Sequence, residues 1–160
     1  MQNFRQILER LSDAGIEFVI VGGYAALTHG SSFLTRDLDL CATLAPETIL
    51  RLRRALANLN PKHRLTPQRL SFLEHPPDGL GVENLYLETD LGVIDILSAI
   101  TGVGDFGVVK ENAEEVAVEG RTYRVISLDD LIRAKEALGR EKDLLTAKEL
   151  RAIAIKRKAR

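Results

Sequence analysis

The sequence predicts an α+β protein in which a mixed β-sheet is flanked by helices and followed by a helical C-terminal segment. Short apolar runs of strand length alternate with amphipathic stretches of helical spacing through residues 1–126. Two of the later apolar runs pair across short turns, as hairpins do, and from residue 127 onward the pattern is only helical. We therefore expect a core over residues 1–126 and a helical segment over residues 127–160 that closes one side of a cleft, the two forming a single compact unit.

The elements follow from periodicity and from turn residues. Helices are expected over 3–14, 24–29, 46–59 and 131–138, with a last helix running from about 140 to 155. Ser127 is the expected N-cap of the fourth of these helices, and Asp130 is expected to close a capping box with it. Strands are expected at 18–21, 37–40, 82–87, 92–97, 115–119 and 121–126, and the proline-rich stretch 60–81 is expected to hold short strands and loops.

Composition excludes several classes of protein. The chain has 160 residues, 45% of them hydrophobic and 28% charged, with a formal net charge of -1, which argues against a globally basic nucleic-acid coat protein. Its one cysteine, Cys41, cannot form an internal disulfide and is expected to be a buried thiol in a reducing compartment. No apolar run has membrane-spanning length, so we expect a cytoplasmic protein without a membrane partner.

Residues 18–40 hold the first chemical motif. The apolar run 18–21 ends at Gly22 and Gly23, which allow a tight turn and a close approach of the backbone to a ligand. The helix that follows would point its first N–H groups back at this turn. A strand, a glycine turn and a helix start in this order predict an anion-binding site.

Asp37 and Asp39 come next, and strand alternation places both carboxylates on one face. Two carboxylates near apolar surroundings repel and raise each other's pKa, and a divalent cation removes this repulsion. Mg²⁺ is usually held by one or two carboxylates, with water and phosphate oxygens in its other positions. The pair therefore predicts a metal site that converges with the phosphate site.

Asp95 is a third candidate, because it lies between Ile94 and Ile96 in an otherwise apolar strand. A buried carboxylate is costly unless it is paired, hydrogen-bonded or bound to a metal. The alternative interpretation is an aspartate at a strand edge that faces solvent.

These residues resemble a known signature. Gly22-Gly23, a helix, and then Thr35-Arg36-Asp37-Leu38-Asp39 are similar to the motif of the nucleotidyltransferase superfamily, which has the DNA polymerase β-like fold. The resemblance is strongest to its Gly-Gly branch, which includes the abortive-infection nucleotidyltransferase toxins of bacterial toxin–antitoxin systems. The usual pattern has Gly-Ser, so a serine contact to the triphosphate is absent from this chain.

A second stretch of the chain extends the resemblance. Lys135 followed by Arg140-Glu141-Lys142-Asp143 is similar to the Lys-then-Arg-x-Lys-Asp element of the toxin-type enzymes, in which basic residues reach the nucleotide phosphates and the Lys-Asp pair is needed for activity. In this sequence alone, the same charges are also typical of a solvated helix surface.

The resemblance implies a transfer of a nucleoside monophosphate from a nucleoside triphosphate such as ATP to an acceptor hydroxyl. The implied cofactor is Mg²⁺ or Mn²⁺, the implied acceptor is tRNA, another RNA, a protein or a small molecule, and an antitoxin protein is an implied partner. The implied metal ligands and catalytic residues are Asp37, Asp39 and Asp95. Further catalytic residues would be Lys142 and Asp143, and nucleotide-binding residues would be Gly22, Gly23, Thr35, Lys135 and Arg140.

Two other hypotheses stay open at this stage. Gly-Gly in place of the usual Gly-Ser, together with the short chain, also fits a nucleotide-binding or interaction module of the same fold with reduced turnover. Residues 102–107 match the G-x-G-x-x-G pattern of dinucleotide sites, which would suggest an oxidoreductase, but no helix start is expected after them, and we interpret them as a flexible loop that lines the cleft. His29, His63 and His75 lack partners at metal-binding spacing and are interpreted as structural.

Overall fold

The computed structural model describes residues 2–160, and its elements follow the apolar pattern of the sequence. The helices are Phe4–Asp13 (α1), Gly22–Thr28 (α2), Pro46–Leu56 (α3), Phe106–Asn112 (α4), Leu128–Leu138 (α5) and Glu141–Lys158 (α6), and a 3₁₀ turn spans Ala57–Leu59. The strands are Val19–Val21 (β1), Asp37–Cys41 (β2), Lys62–His63 (β3), Asn84–Thr89 (β4), Gly92–Leu97 (β5), Ala99–Ile100 (β6), Gly104–Asp105 (β7), Glu114–Val118 (β8) and Arg121–Val125 (β9).

Seven of the strands form one mixed sheet, in the order β3-β4-β5-β2-β1-β9-β8. β2 lies at its centre, parallel to β5 and antiparallel to β1, while β1 is parallel to β9. The two predicted hairpins are β4–β5 and β8–β9. The α+β class and the mixed sheet predicted from the sequence are therefore confirmed.

Strand alternation divides β2 and β5 into an apolar face and an acidic face. Leu38 and Leu40 of β2 are almost completely buried, and so are Ile94 and Ile96 of β5. Their burial in the core fixes which way each strand faces, because a slip by one residue would expose all four side chains. The aspartates that alternate with them must then lie together on the opposite face.

The prediction of a flexible loop at residues 102–107 was wrong. Gly104 and Asp105 form strand β7, which pairs with β6, and helix α4 begins at Phe106. Asp105 is the N-cap of this helix and accepts a hydrogen bond from the Val108 N–H at 3.2 Å. Because a carboxylate of the chain occupies the helix N-terminus, the turn does not offer the pyrophosphate cradle that a dinucleotide site requires.

Helices α5 and α6 follow the sheet and pack on each other. Ser127 caps α5 as predicted, since its Oγ accepts from the Asp130 N–H at 3.1 Å. The reciprocal capping-box bond is not formed, because the Asp130 carboxylate accepts from Asn112 and Arg133 instead. Gly139 ends α5 in the left-handed conformation, with φ of 69°. No helix within residues 2–160 combines the length and apolarity needed to cross a bilayer.

The Ser127 cap should stabilise the start of α5. Ser127→Ala removes the acceptor for the Asp130 N–H, so we expect the free energy of unfolding to fall by about 1 kcal/mol. Urea unfolding followed by circular dichroism measures this. Ser12→Ala, at an exposed position of α1, is the matched control and should change stability by less than about 0.5 kcal/mol. Equal losses in the two variants would contradict a capping role.

Candidate active site

The structure brings Asp37, Asp39 and Asp95 together on the acidic face of the sheet. Asp39 lies directly opposite Asp95 in the parallel β2–β5 ladder, and Asp37 is two residues away on the same face of β2. One carboxylate oxygen from each aspartate lies within 4.8 Å of the other two. We call these three residues the carboxylate cluster. It rules out the alternative that Asp95 is isolated at a strand edge.

The electrostatics of the cluster favour a cation. Burial and, after it, the negative charges of Asp95 and Asp37 raise the pKa of Asp39 to about 7, against the opposing effect of Lys135 and Arg64. Burial also raises the pKa of Asp95, although a hydrogen bond from Arg64 lowers it. A bound cation would offset the burial and the mutual repulsion that raise these pKa values, and its binding would release the proton held by Asp39. Three hard oxygen donors fit Mg²⁺ or Mn²⁺.

The glycine turn is shaped by its contact with the cluster. Gly22 has φ of 65°, and a Cβ on it would lie 2.8 Å from both Cβ and Cγ of Asp39. A Cβ on Gly23 would lie 2.8 Å from Thr35 Oγ1 and 2.9 Å from Thr35 Cβ. The Thr35 hydroxyl itself donates to the Asp37 carbonyl at 3.0 Å. A serine at position 23 would therefore collide with Thr35, which is a steric reason for Gly-Gly in this chain.

Basic residues border the cluster from the junction of α5 and α6. The carboxylate of Asp143 is fully buried, with Arg140 Nε at 2.6 Å and Lys135 Nζ at 3.6 Å. Burial alone would raise the pKa of Asp143, but the hydrogen bond from Arg140 and the two positive charges outweigh it and hold that pKa below its usual value. Asp143 thus acts as an anchor that holds Lys135 and Arg140 in place. Lys142 is exposed and makes no ion pair within residues 2–160.

Two cavities that share several lining residues border the carboxylate cluster. A polar cleft of about 600 Å³ is lined by the whole cluster and by Gly23, Thr35, Lys135, Arg140 and Lys142. An apolar cavity of about 430 Å³ shares Asp39, Asp95, Lys135 and Arg140 with it, and is otherwise bordered mainly by apolar side chains such as Leu97, Ile100, Leu131 and Leu138. Most of the predicted site residues therefore border one cleft, in which anionic groups would meet both the cluster and the three basic side chains.

Arg64 is the main site residue that the sequence did not reveal. It follows β3, in the proline-rich stretch that was expected to hold short strands and loops, and its guanidinium contacts Asp95 through two nitrogens. No motif marks it, because the contact depends on the pairing of β3 with β4. A basic residue close to the end of a short strand was the only available signal.

The histidines and the cysteine have structural surroundings. His29 is buried, with Nε2 2.7 Å from the Ile126 carbonyl and Nδ1 2.9 Å from Arg157. His63 Nε2 lies 2.7 Å from the His75 carbonyl. Cys41 is fully buried, as predicted. None of these side chains belongs to the carboxylate cluster.

The sequence matches no protein-family model and no curated protein. Solved structures do match. LnuA, a lincosamide antibiotic adenylyltransferase with lincomycin bound, aligns with 95% of this chain and 98% of its own, at 16% identity and a TM-score of 0.63. A candidate nucleotidyltransferase from Thermotoga maritima covers 91% and 88%, at 18% identity and a TM-score of 0.58. ANT(2")-Ia, solved with adenylyl-2"-tobramycin, covers 93% and 95%, at 15% identity and a TM-score of 0.51.

The fold is therefore that of the nucleotidyltransferases, over almost the full length of this chain and of these structures. The resemblance seen in the motifs is confirmed at the level of the superfamily fold. Membership of its Gly-Gly branch stays a prediction.

The raised pKa of Asp39 predicts how stability depends on pH without metal. Between the ordinary aspartate pKa of 3.8 and the native pKa of about 7, the folded state keeps a proton that the unfolded state has lost. Stability should therefore fall as pH rises through this window and level off above it. Urea unfolding in EDTA at pH 4–8.5 measures the slope of the free energy of unfolding against pH. This slope should be smaller in Asp39→Asn and unchanged in the exposed control Asp90→Asn. An unchanged slope in Asp39→Asn would contradict the assigned pKa.

The glycine turn yields a second expectation. Gly22→Ala and Gly79→Ala both place a side chain at positive φ, which costs about 1–2 kcal/mol. At Gly79 the new Cβ meets nothing within 4 Å, whereas at Gly22 it collides with Asp39. We expect Gly22→Ala to lose a further 1–3 kcal/mol, roughly the cost of overpacking. Chemical unfolding measures both variants, and equal losses would show that the turn does not press on Asp39.

Proposed function

We propose that this protein is a Mg²⁺-dependent nucleotidyltransferase that moves a nucleoside monophosphate from a nucleoside triphosphate to an acceptor hydroxyl. The observation that carries the proposal is the carboxylate cluster, which lies beside a glycine turn and faces three basic side chains across one cleft. The nucleotidyltransferase fold of the chain supports it.

Asp37 and Asp39 would hold Mg²⁺ or Mn²⁺ against the triphosphate, and Asp95 would complete the site on the acceptor side. When bound, the ion supplies positive charge to phosphate oxygens as negative charge develops on them. The backbone of the turn at Gly22 and Gly23 would approach the phosphates.

Lys135, Arg140 and Lys142 would neutralise the leaving pyrophosphate. Preorganised charges of this kind cost no reorganisation during the reaction, and Asp143 keeps two of them in position. Thr35 lies between the glycine turn and Asp37 and would help to shape the phosphate site. We propose residues 1–126 as the core and residues 127–160 as the helical segment that closes the cleft.

The proposed reaction is a single nucleophilic displacement at the α-phosphorus. The acceptor oxygen bonds to the α-phosphorus, and the bond between that phosphorus and the oxygen that bridges to the β-phosphate breaks. Pyrophosphate leaves with the electron pair of the broken bond. The proton of the hydroxyl passes to Asp95, which borders both the polar cleft and the apolar cavity.

We propose a small hydroxyl compound as the acceptor and ATP as the donor. The apolar cavity next to Asp95 has the size of a small molecule, and two of the similar structures are named for antibiotic adenylylation or contain an adenylylated antibiotic. The motif resemblance implies other possibilities. These are an RNA acceptor such as tRNA, and a role in a toxin–antitoxin system with an antitoxin partner. Labelled-triphosphate transfer into a total cell extract, separated into RNA, protein and small molecules, distinguishes these acceptors.

One observation favours a second candidate, a nucleotide-binding module with reduced turnover. Both carboxylate oxygens of Asp95 are engaged by Arg64, and Gly23 stands where the superfamily pattern has serine. Such a module would show a Mg²⁺-dependent thermal shift with triphosphates but no transfer to any acceptor.

Removing the paired carboxylates should abolish transfer. In Asp37→Asn plus Asp39→Asn the side chains keep their size but lose the charge that holds a metal, so we expect labelling from α-³²P-labelled triphosphate to fall by at least about 100-fold. Asp90→Asn, exposed at the β4–β5 turn, should label as the wild type does. If the double variant remains folded and still labels at the wild-type rate, the proposed function is wrong.

Lys142 should act on the triphosphate rather than on folding. Lys142→Ala removes an exposed charge from the polar cleft, and we expect about a tenfold loss of kcat/KM for the triphosphate, or about 1.4 kcal/mol. Lys148→Ala, exposed on the same helix but not part of the cleft, is the matched control. Steady-state kinetics and thermal melts measure both, and similar kinetics in the two variants would exclude a phosphate contact.

A further inference from the structure

Arg64 makes the closest polar contacts in the carboxylate cluster. Its Nη2 donates to Oδ1 and to Oδ2 of Asp95 at 2.6 Å each, and its Nε donates to Oδ1 at 3.2 Å. Both oxygens of Asp95 thus have a cation as their partner. Contacts between two guanidinium nitrogens and a carboxylate are among the stronger ion pairs in proteins.

The fold holds Arg64 in this position. The Arg64 N–H donates to the Tyr86 carbonyl at 3.0 Å, and Tyr86 is the register partner of Asp95 in the antiparallel β4–β5 pair. The guanidinium carbon lies 5.6 Å from the centroid of the Tyr86 ring. The side chains of Arg64 and Asp95 are only 24% and 13% exposed. Backbone, aromatic ring and carboxylate therefore fix the guanidinium together.

A divalent ion on Asp95 would have to share this space. Mg²⁺ binds carboxylate oxygens at about 2.1 Å, so an ion on Asp95 would lie a few ångströms from the guanidinium and would be repelled by it. Without nucleotide, the carboxylate cluster in the deprotonated state that binds metal carries three negative charges, and the guanidinium of Arg64 reduces the net charge to two negative charges. A single divalent ion neutralises them, and the paired aspartates of β2 remain available to hold it.

We propose that Arg64 takes the place of a divalent ion on Asp95, so that the nucleotide-free cluster binds one ion, at Asp37 and Asp39. This inference rests on the proposed function, which implies the metal. It assigns Arg64 as a resident cation of the site. It also makes Asp95 an oriented carboxylate that faces the acceptor side without being a metal ligand, until Arg64 leaves it.

Counting bound ions tests the proposal. Mn²⁺ is titrated into the metal-free full chain without nucleotide, and the electron paramagnetic resonance signal of free Mn²⁺ gives the number bound. We expect one ion in the wild type and two in Arg64→Gln, which removes the charge and frees Asp95. Arg69→Gln is the matched control, because Arg69 lies on the same loop and pairs with Glu88 outside the cluster. It should bind one ion.

A double variant locates the second ion. Arg64→Gln with Asp95→Asn should bind one ion again, because the carboxylate exposed by the first change is lost. Loss of any nearby positive charge would raise the affinity of a single site for Mn²⁺ without adding a second site. A count of one ion in every variant would therefore overturn the proposal.

The wild-type count needs no variant and separates the two proposals. Two ions bound to the wild type would overturn the role of Arg64 and leave the proposed function standing. No ion bound without nucleotide would also overturn the role of Arg64, and the proposed function, in which the ion binds against the triphosphate, is then decided by the transfer assay. Thermal melts of each variant show whether its count comes from folded protein.

Discussion

The mutual repulsion of three aspartates is the constraint on which the rest of this structure depends. The parallel pairing of β2 and β5 places Asp39 directly opposite Asp95, and the burial of the alternate apolar side chains fixes that register. The core thus forces the carboxylates together although they repel. Arg64, Lys135 and the raised pKa of Asp39 reduce this repulsion in the absence of an ion.

The neighbouring elements fit around this constraint. The glycine turn approaches Asp39 so closely that a side chain at position 22 has no room, and Thr35 fills the space beside position 23. Among the basic residues that line the cleft, the buried carboxylate of Asp143 forms ion pairs with Lys135 and Arg140 and holds both in place. The cleft therefore combines a strongly negative floor with a positive wall, an arrangement suited to a metal-bound polyphosphate.

Local patterns in the sequence predicted the parts of the fold that depend on neighbours in the chain. The strand, glycine turn and helix of residues 18–29, the alternation at Asp37 and Asp39, and both hairpins could be read from period and turn residues. The helix after Gly104 was missed because its N-cap, Asp105, lies within a glycine-rich run that suggested a loop. The capping box was wrong because Asp130 has tertiary partners, Asn112 and Arg133.

The candidate site was predictable to the extent that its residues lie in motifs. Asp95 was recognised by its apolar neighbours, but Arg64 was not, because its position depends on how β3 pairs with β4. The complete burial of the Asp143 side chain could not be predicted from its motif either. Contacts between residues distant in the chain are what the sequence did not disclose.

The proposed function requires that the carboxylate cluster bind a metal ion together with a triphosphate. A crystal structure with Mn²⁺ and a non-hydrolysable triphosphate, with data collected at the manganese absorption edge, tests it most directly. We expect an anomalous peak within about 2.3 Å of oxygens from Asp37 and Asp39, with the triphosphate between them and Lys142. A triphosphate bound elsewhere, or a cluster without an anomalous peak at saturating Mn²⁺, would contradict it.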